Sequence, residues 1–147
     1  MRRGAFARDW EVIRLSRRWQ TTDVAEAVLA HLLDDPDPGL SAAVREAARA
    51  AGRDQGGVFR ERAHNHPDPL TVVEAVLLST GISAEREQGL EGVRLIVDVR
   101  TVQILPDTPG GVPLAAAYLE GFISSIIPEA SVDAGDEQVV VSLPEGG

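Results

Sequence analysis

One segment of the chain has residue types suited to metal binding, around two closely spaced histidines. His64 and His66 precede Pro67 and Asp68, and imidazole with carboxylate is a donor set that zinc accepts. A zinc site needs three or four ligands held in fixed directions by further hydrogen-bonding partners. A loop interrupted by Pro67 and Pro69 does not fix those directions, and a solvated loop histidine is the commoner case. We therefore predict no structural metal here.

Three glycines raise the question of phosphate binding. Gly52, Gly56 and Gly57 lack the spacing of a phosphate-binding loop, the lysine that follows it and the strand that precedes it. Glycine inside a helix costs roughly 1 kcal/mol relative to alanine, so some other group is expected to approach closely there. A crossing helix explains the glycines most simply, and a ligand is the alternative.

No set of residues has the spacing of a catalytic centre. The chain lacks a Gly-x-Ser-x-Gly motif and has no cysteine, which excludes thiol catalysis and disulfides. Asp98, Glu120 and Glu129 are carboxylates that could approach one another. An acid and base pair needs environments that separate two pKa values, and sequence spacing does not display them. We interpret these carboxylates as solvated, and we predict no catalytic residue and no cofactor.

The first half of the chain is predicted to be helical. Residues 5–19 place Phe6, Trp10 and Ile13 at helical spacing, with a strand at 12–15 as the alternative. Thr22 and Asp23 can cap a second helix that ends at Asp34. Residues 35–39 contain two prolines and are predicted to link it to the longest helix, 40–63. The apolar stripe of the second helix consists of Val24, Ala27, Val28 and Leu32, with His31 beside it.

The second half is predicted to mix helices and strands. Pro69 begins a helix that ends at Gly81, and Pro113 begins a mostly buried helix that Pro128 stops. Alternation over 93–99 indicates a strand with one buried face. The remaining strand predictions are 82–88, which pairs with that strand across 89–92, a continuation at 101–105, and a hairpin formed by 130–133 and 138–143.

These elements predict an α+β fold with helices packed on one face of an antiparallel sheet of about four to five strands. The 147 residues suit a single domain. We predict an arginine-rich N-terminal arm or helix at 1–21 and one α+β domain at 22–147.

The charge of the chain is divided unevenly along its length. Residues 1–20 hold six arginines and two acids, a net charge of +4, while the rest carries −13. An acidic body is a poor surface for nucleic acid, so no nucleic-acid partner is predicted. The N-terminus is too charged for a signal peptide, and no apolar run approaches the roughly 20 residues that span a bilayer. We expect a cytoplasmic, soluble protein without a membrane span.

Residues 40–143 resemble the vinyl-reductase-type domain family, which includes transport-particle subunits of Golgi tethering complexes and sensor domains of aromatic-responsive transcription activators. Many members hold zinc through cysteines near the final hairpin. This chain has Asp133, Asp136 and Glu137 there and no thiol. The resemblance rests on four segments: the glycine-interrupted stretch 51–56, the helix end 77–81, the strand 93–99, and Leu-Glu-Gly-Phe at 119–122.

The resemblance implies a pocket with apolar walls for a small hydrophobic molecule or an acyl chain. We expect Phe59, Leu77, Tyr118 and Phe122 to line it, although an apolar stripe of this kind is more often ordinary core. Tyr118 is the strongest candidate because its hydroxyl could bind a ligand. The favoured interpretation is a non-enzymatic binding domain that forms a homodimer. A protein-interaction scaffold is the first alternative, and a small enzyme of porphyrin or aromatic metabolism is the second.

Overall fold

The computed structural model describes residues 7–14, 24–90, 92–102 and 110–143, which form an α+β fold. The helices are α1 (7–14), α2 (Val24–Asp34), α3 (Pro38–Gly56), α4 (Arg60–His64), α5 (Pro69–Ser79) and α6 (Gly111–Ile126). Short 3-10 turns occupy Gly57–Phe59 and Val99–Thr101, and the strands are β1 (Ala84–Gly89), β2 (Gly92–Asp98), β3 (Ser131–Ala134) and β4 (Gln138–Ser142).

The four strands form one antiparallel sheet in the order β1-β2-β4-β3. The register places Leu95 opposite Val141 and Val97 opposite Val139, and all four side chains are buried against the helices. Because side chains alternate between faces, Ile96 lies on the opposite face of the sheet. The predicted fold class, the alternating strand and both hairpins are therefore confirmed.

The predicted continuation of strand β2 over residues 101–105 is wrong at Thr101. The chain turns at Val99–Thr101, where the Asp98 carboxylate accepts a hydrogen bond from the Arg100 amide at 3.0 Å. The Thr101 hydroxyl also donates to the Asp98 carbonyl at 2.7 Å. These two local bonds satisfy the turn, so β2 stops at Asp98. Residues 103–105 lie outside the described part of the chain.

Helix α6 forms a middle layer between α3 and the sheet. Leu119 and Ile123 are fully buried in the main core, together with Leu77 from α5. Most of its circumference is covered, as predicted, although it begins at Gly111 rather than at Pro113. No helix in the described residues combines the length and apolar character that a bilayer crossing requires.

Glycines allow α3 and α6 to cross at backbone contact. A Cβ atom added at Gly52 would lie 2.8 Å from the Phe122 nitrogen and closer still to the Tyr118 carbonyl oxygen. A Cβ atom at Gly121 would lie 2.8 Å from the Arg49 carbonyl carbon. The crossing helix is thus the correct explanation for the glycine at 52. Gly56 is likewise packed against α6, whereas a Cβ atom at Gly57 would meet nothing within 4 Å.

The helices of the first half are correct in outline and wrong in two details. The buried side of α2 carries Leu29, Leu32 and Leu33, which pack near α3, while Val24 and Val28 of the predicted stripe are 75% and 53% exposed. The predicted single helix over 40–63 is interrupted, because the 3-10 turn at Gly57–Phe59 separates α3 from α4.

The predicted linker at 35–39 is shorter than expected. Helix α3 already begins at Pro38, where a proline needs no hydrogen-bond partner for its nitrogen. Asp37 caps the helix by accepting a hydrogen bond from the Gly39 amide at 2.9 Å.

In the N-terminal segment, residues 7–14 are helical as predicted. The predicted capping residues Thr22 and Asp23 lie outside the described part of the chain.

Candidate functional site

Three of the four residues predicted to contact a ligand form an aromatic cluster beside the helix crossing. The rings of Tyr118 and Phe122 stack with centroids 5.8 Å apart, and Phe59 meets Phe122 edge to face at 6.3 Å. The Tyr118 hydroxyl donates a hydrogen bond to Gln55 Oε1. Burial raises the pKa of Tyr118, so the phenol remains a protonated donor at neutral pH. The hydroxyl therefore has a partner within the protein.

Leu77, the fourth predicted residue, lies on α5 and takes no part in these ring contacts, although the same hydrophobic core includes Phe122. It is fully buried on α5 and belongs to the main core. None of the four residues lines either of the two cavities described next. Their role in ligand binding stays a prediction.

The first cavity, which we call the apolar cleft, lies where three helix ends meet. The chain leaves α3 at Gly57, begins α5 at Pro69 and leaves α6 at Ile127 and Pro128. The cleft has a volume of about 460 Å³. Its walls are formed by Gly57, Ala63, Pro69, Ile126, Ile127 and Pro128, and its polar residues are Arg60, Glu61, His64 and Glu129.

Arg60 is the polar residue of the apolar cleft whose position is fixed. Its Nε atom donates a hydrogen bond to the Ser125 carbonyl oxygen at 2.8 Å. That carbonyl belongs to the last turn of α6, where backbone acceptors lack partners within the helix. Ser125 is itself buried, and its hydroxyl donates to the Phe122 carbonyl at 2.9 Å. Arg60 therefore joins the end of α6 to the start of α4.

His64 ends helix α4 rather than lying in a loop, His66 lies in the turn that follows, and neither gathers metal ligands. His66 Nδ1 accepts a hydrogen bond from the Asp68 amide at 2.9 Å, and Arg86 holds the Asp68 carboxylate at 2.6 Å. This hydrogen bond from Arg86 lowers the pKa of Asp68. Across the described ranges no group of three histidine, aspartate or glutamate residues is placed to hold a metal ion. The predicted absence of a structural metal stays a prediction.

The second cavity, which we call the ionic groove, lies between α3, α6 and the turn joining β3 to β4. It has a volume of about 930 Å³ and a mixed charged lining. Arg49 bridges Glu46 on its own helix and Glu120 on α6, the latter at 3.3 Å. The lining comprises Ala42, Arg45, Glu46, Arg49, Arg100, Val112, Pro113, Ala116, Ala117, Glu120 and residues 134–137.

Three of the charged residues that line the ionic groove, Glu46, Arg49 and Glu120, are paired with one another. Glu46 also contacts Arg53 at 2.8 Å, and the hydrogen bonds from Arg53 and Arg49 lower the pKa of Glu46. Arg49 Nε is buried without a hydrogen-bond partner. Arg100 pairs with Asp98 at 3.1 Å. The groove therefore contains a network of ion pairs together with further charged side chains of both signs.

The three carboxylates considered at the sequence level do not form one site. Glu120 lines the ionic groove, Glu129 lines the apolar cleft, and Asp98 pairs with Arg100 at the end of β2. A general acid and a general base must both reach the same reacting group. Nothing in this placement brings two of them together for that purpose.

Sequence patterns missed the residues of the apolar cleft. Gly57 and Ala63 were expected inside one long helix, and Pro69 and Pro128 were recognised only as helix boundaries. The available signal was a glycine after α3, a proline at the start of α5 and a proline after the end of α6. The sequence does not show that these ends converge.

No match to this chain is found among protein-family models, curated proteins or solved structures. The resemblance to the vinyl-reductase-type family therefore stays a prediction, as does the function that it implies.

Proposed function

We propose that this chain is a non-enzymatic binding domain for a small apolar molecule, and that the apolar cleft holds the molecule. The observation that carries the proposal is the composition of the cleft. Aliphatic, proline and glycine surfaces from three helix ends form its walls, and only a few polar groups join them. Its volume of about 460 Å³ lies within the range of small-molecule pockets.

The ionic groove fits this function less well, although it is larger. A small apolar molecule gains affinity by removing apolar surface from water. In the groove it would have to lie against the network of Glu46, Arg49 and Glu120, whose charges lose solvation when covered. The apolar cleft offers the accessible surfaces of Gly57, Pro69 and Pro128 instead.

A substitution that fills the cleft tests the proposal directly. Gly57 lines the cleft, has helical backbone angles and leaves open space where a side chain would begin. Gly57→Leu therefore adds an aliphatic side chain to the cleft without backbone strain. Ala75→Leu on the exposed side of α5 is the matched control for added apolar surface. The neutral fluorescent probe N-phenyl-1-naphthylamine reports binding.

We expect saturable binding of one probe molecule per chain to the wild type and to Ala75→Leu. We expect Gly57→Leu to weaken binding by about tenfold or more, since the added side chain occupies the space that the probe would fill. Circular dichroism checks that both variants are folded. Failure of the wild type to bind the probe saturably, or equal binding by Gly57→Leu, would contradict the proposal.

We also propose that two copies of the chain form a homodimer through the N-terminal helices. Trp10 on α1 and Val24 and Val28 on α2 are all more than half exposed. Large exposed apolar side chains are a common feature of protein contact surfaces. The positive segment 1–20 and the acidic remainder give two copies complementary charges. Multi-angle light scattering of the intact chain measures the mass.

The alternative is a protein-interaction scaffold, in which the same exposed surface would bind a different protein. A monomeric mass together with an empty cleft would favour that alternative. The cytoplasmic location stays a prediction from the sequence, and cell fractionation would test it.

A further inference from the structure

The guanidinium of Arg60 has unused hydrogen-bond donors beside the apolar cleft. A guanidinium carries five N–H donors in a rigid plane. The Nε donor is taken by the Ser125 carbonyl, and among the described residues no hydrogen bond or ion pair engages the two terminal Nη groups. Arg60 therefore presents its terminal donors at a cleft lined by six apolar residues and by Glu61, His64 and Glu129.

From this arrangement we infer that the ligand of the apolar cleft is an apolar molecule with a carboxylate, and that Arg60 binds the carboxylate. The inference rests on the proposed function. The two terminal nitrogens of a guanidinium match the two oxygens of a carboxylate, and such charge-assisted pairs are stronger than neutral ones. The apolar part of the ligand would then contact Pro69 and Pro128, which line the same cleft and are not buried.

The acidic side chains at the cleft lack a hydrogen bond like the one between Arg60 and the Ser125 carbonyl. Glu61 and Glu129 are exposed, and no hydrogen bond in the described structure fixes either side chain. An exposed carboxylate can turn toward water when an anion binds, at a small cost. Arg60 is exposed as well, but its Nε atom donates to the Ser125 carbonyl at 2.8 Å, which restrains the guanidinium before binding.

The net charge of the chain cannot explain a preference for an anionic ligand. A chain with a net charge of −9 attracts cations and repels anions at long range. A preference for an anionic ligand would consequently have to come from a local group. Arg60 is the arginine that lines the apolar cleft.

The test compares three ligands that share one aromatic body: 2-naphthoate, 2-naphthalenemethanol and 2-naphthylmethylammonium. Their dissociation constants are measured by NMR titration with the wild type, Arg60→Met and Arg60→Lys. Methionine keeps an apolar stem in place of the arginine stem, and lysine keeps the charge but not the planar pair of donors. Ala75→Leu again serves as the control outside the cleft.

We expect the wild type to bind naphthoate about tenfold or more tightly than the alcohol, and the ammonium compound most weakly. Arg60→Met should bind the acid and the alcohol equally, and Arg60→Lys should keep part of the preference. If the alcohol binds the wild type as tightly as the acid, or if Arg60→Met keeps the preference, the inference is wrong while the binding function stands. If no ligand binds saturably, the proposed function itself fails. Should Arg60→Met not fold, the comparison in the wild type and in Arg60→Lys decides the question.

Discussion

At the scale of single residues, Tyr118 shows how a side chain selected from sequence acquires a definite partner in the structure. A phenol in an apolar wall was expected to seek a hydrogen-bond partner, and it finds one in Gln55 on α3. The ring also stacks on Phe122. The contacts of Tyr118 are therefore those of a residue that fastens α6 to α3, and its predicted role in ligand binding requires a separate test.

Replacing Tyr118 with phenylalanine separates these two roles. Tyr118→Phe keeps the ring contact and removes the hydroxyl, so we expect the free energy of unfolding to fall by about 1 kcal/mol. Urea denaturation measures that change. Binding of N-phenyl-1-naphthylamine should remain within twofold of the wild type, because Tyr118 does not line the apolar cleft. A loss of probe affinity without loss of stability would support the original prediction that Tyr118 contacts the ligand.

At the scale of secondary-structure elements, the sequence was most informative where a local pattern determines local structure. The end of α5 is an example. The Gly81 amide bonds to the Leu78 carbonyl and the Ile82 amide to the Leu77 carbonyl, with Gly81 at a φ of 80°. That is the hydrogen-bond pattern expected of a helix that ends in glycine. The strand over 93–99 was predictable for the same reason, up to the turn that begins at Val99.

Contacts between elements were less predictable. The three central glycines indicated a close approach but did not identify the crossing helix. Only Gly52 and Gly56 face α6, while Gly57 ends α3 and borders the apolar cleft. The three residues share one type and one stretch of sequence, so their different surroundings come from the tertiary structure alone.

Alanine substitutions at these glycines should have opposite effects. Gly52→Ala would press a methyl group against the backbone of α6, and we expect it to lower the free energy of unfolding by about 3 kcal/mol or more. Gly57→Ala meets open space with a helical φ of −57°, so we expect no loss and a gain of up to about 1 kcal/mol. Urea denaturation of both variants provides the measurement. Similar stabilities for the two would contradict the close crossing of α3 and α6.

The link between β1 and α5 should make stability depend on acid pH. Arg86 on β1 contacts Asp68 and Glu74, each at 2.6 Å, and the Arg86 hydrogen bond lowers the pKa of Asp68 below its ordinary value of 3.8. A group whose pKa is lower in the folded state stabilises the fold above its unfolded pKa. That contribution is lost as the pH falls through the folded pKa, so the loss begins near pH 3.8 and continues below it.

Asp68→Asn tests this dependence. At neutral pH we expect the variant to have a lower urea midpoint than the wild type, because the neutral amide cannot replace the ion pair with Arg86. Below pH 3.8 the two midpoints should converge, since the wild-type carboxylate becomes protonated. Asp54→Asn on the exposed side of α3 is the control for removing one negative charge. A constant difference between wild type and Asp68→Asn from pH 7 to pH 3 would show that the charge of Asp68 is not the cause.

At the scale of the whole molecule, the fold class followed from the order of elements, whereas the candidate site did not. Alternation in the strands and proline or glycine at helix ends specify a layer of helices on a sheet. The apolar cleft depends on the distance between Gly57, Pro69 and Pro128, which are separated by long stretches of chain. Such distances result from packing of the whole domain. Aromatic residues at helical spacing can be selected from sequence as ligand contacts. In the structure they lie at the crossing of α3 and α6, and they do not line the apolar cleft.

The uneven distribution of charge and exposed apolar surface leads to a prediction for the assembly of the intact chain. If the N-terminal helices join two copies, Val24→Asp with Val28→Asp should convert the dimer to a monomer, because two charges would be buried at the contact. Raising the salt concentration should also weaken the dimer, since the segment 1–20 carries +4 and the remainder −13. Val58→Asp with Leu78→Asp changes two apolar residues elsewhere that are at least as exposed, and it should leave the mass unchanged. If the dimer persists in the first variant and dissociates in the control, the contact lies near Val58 and Leu78 instead. A monomeric wild type would exclude the homodimer.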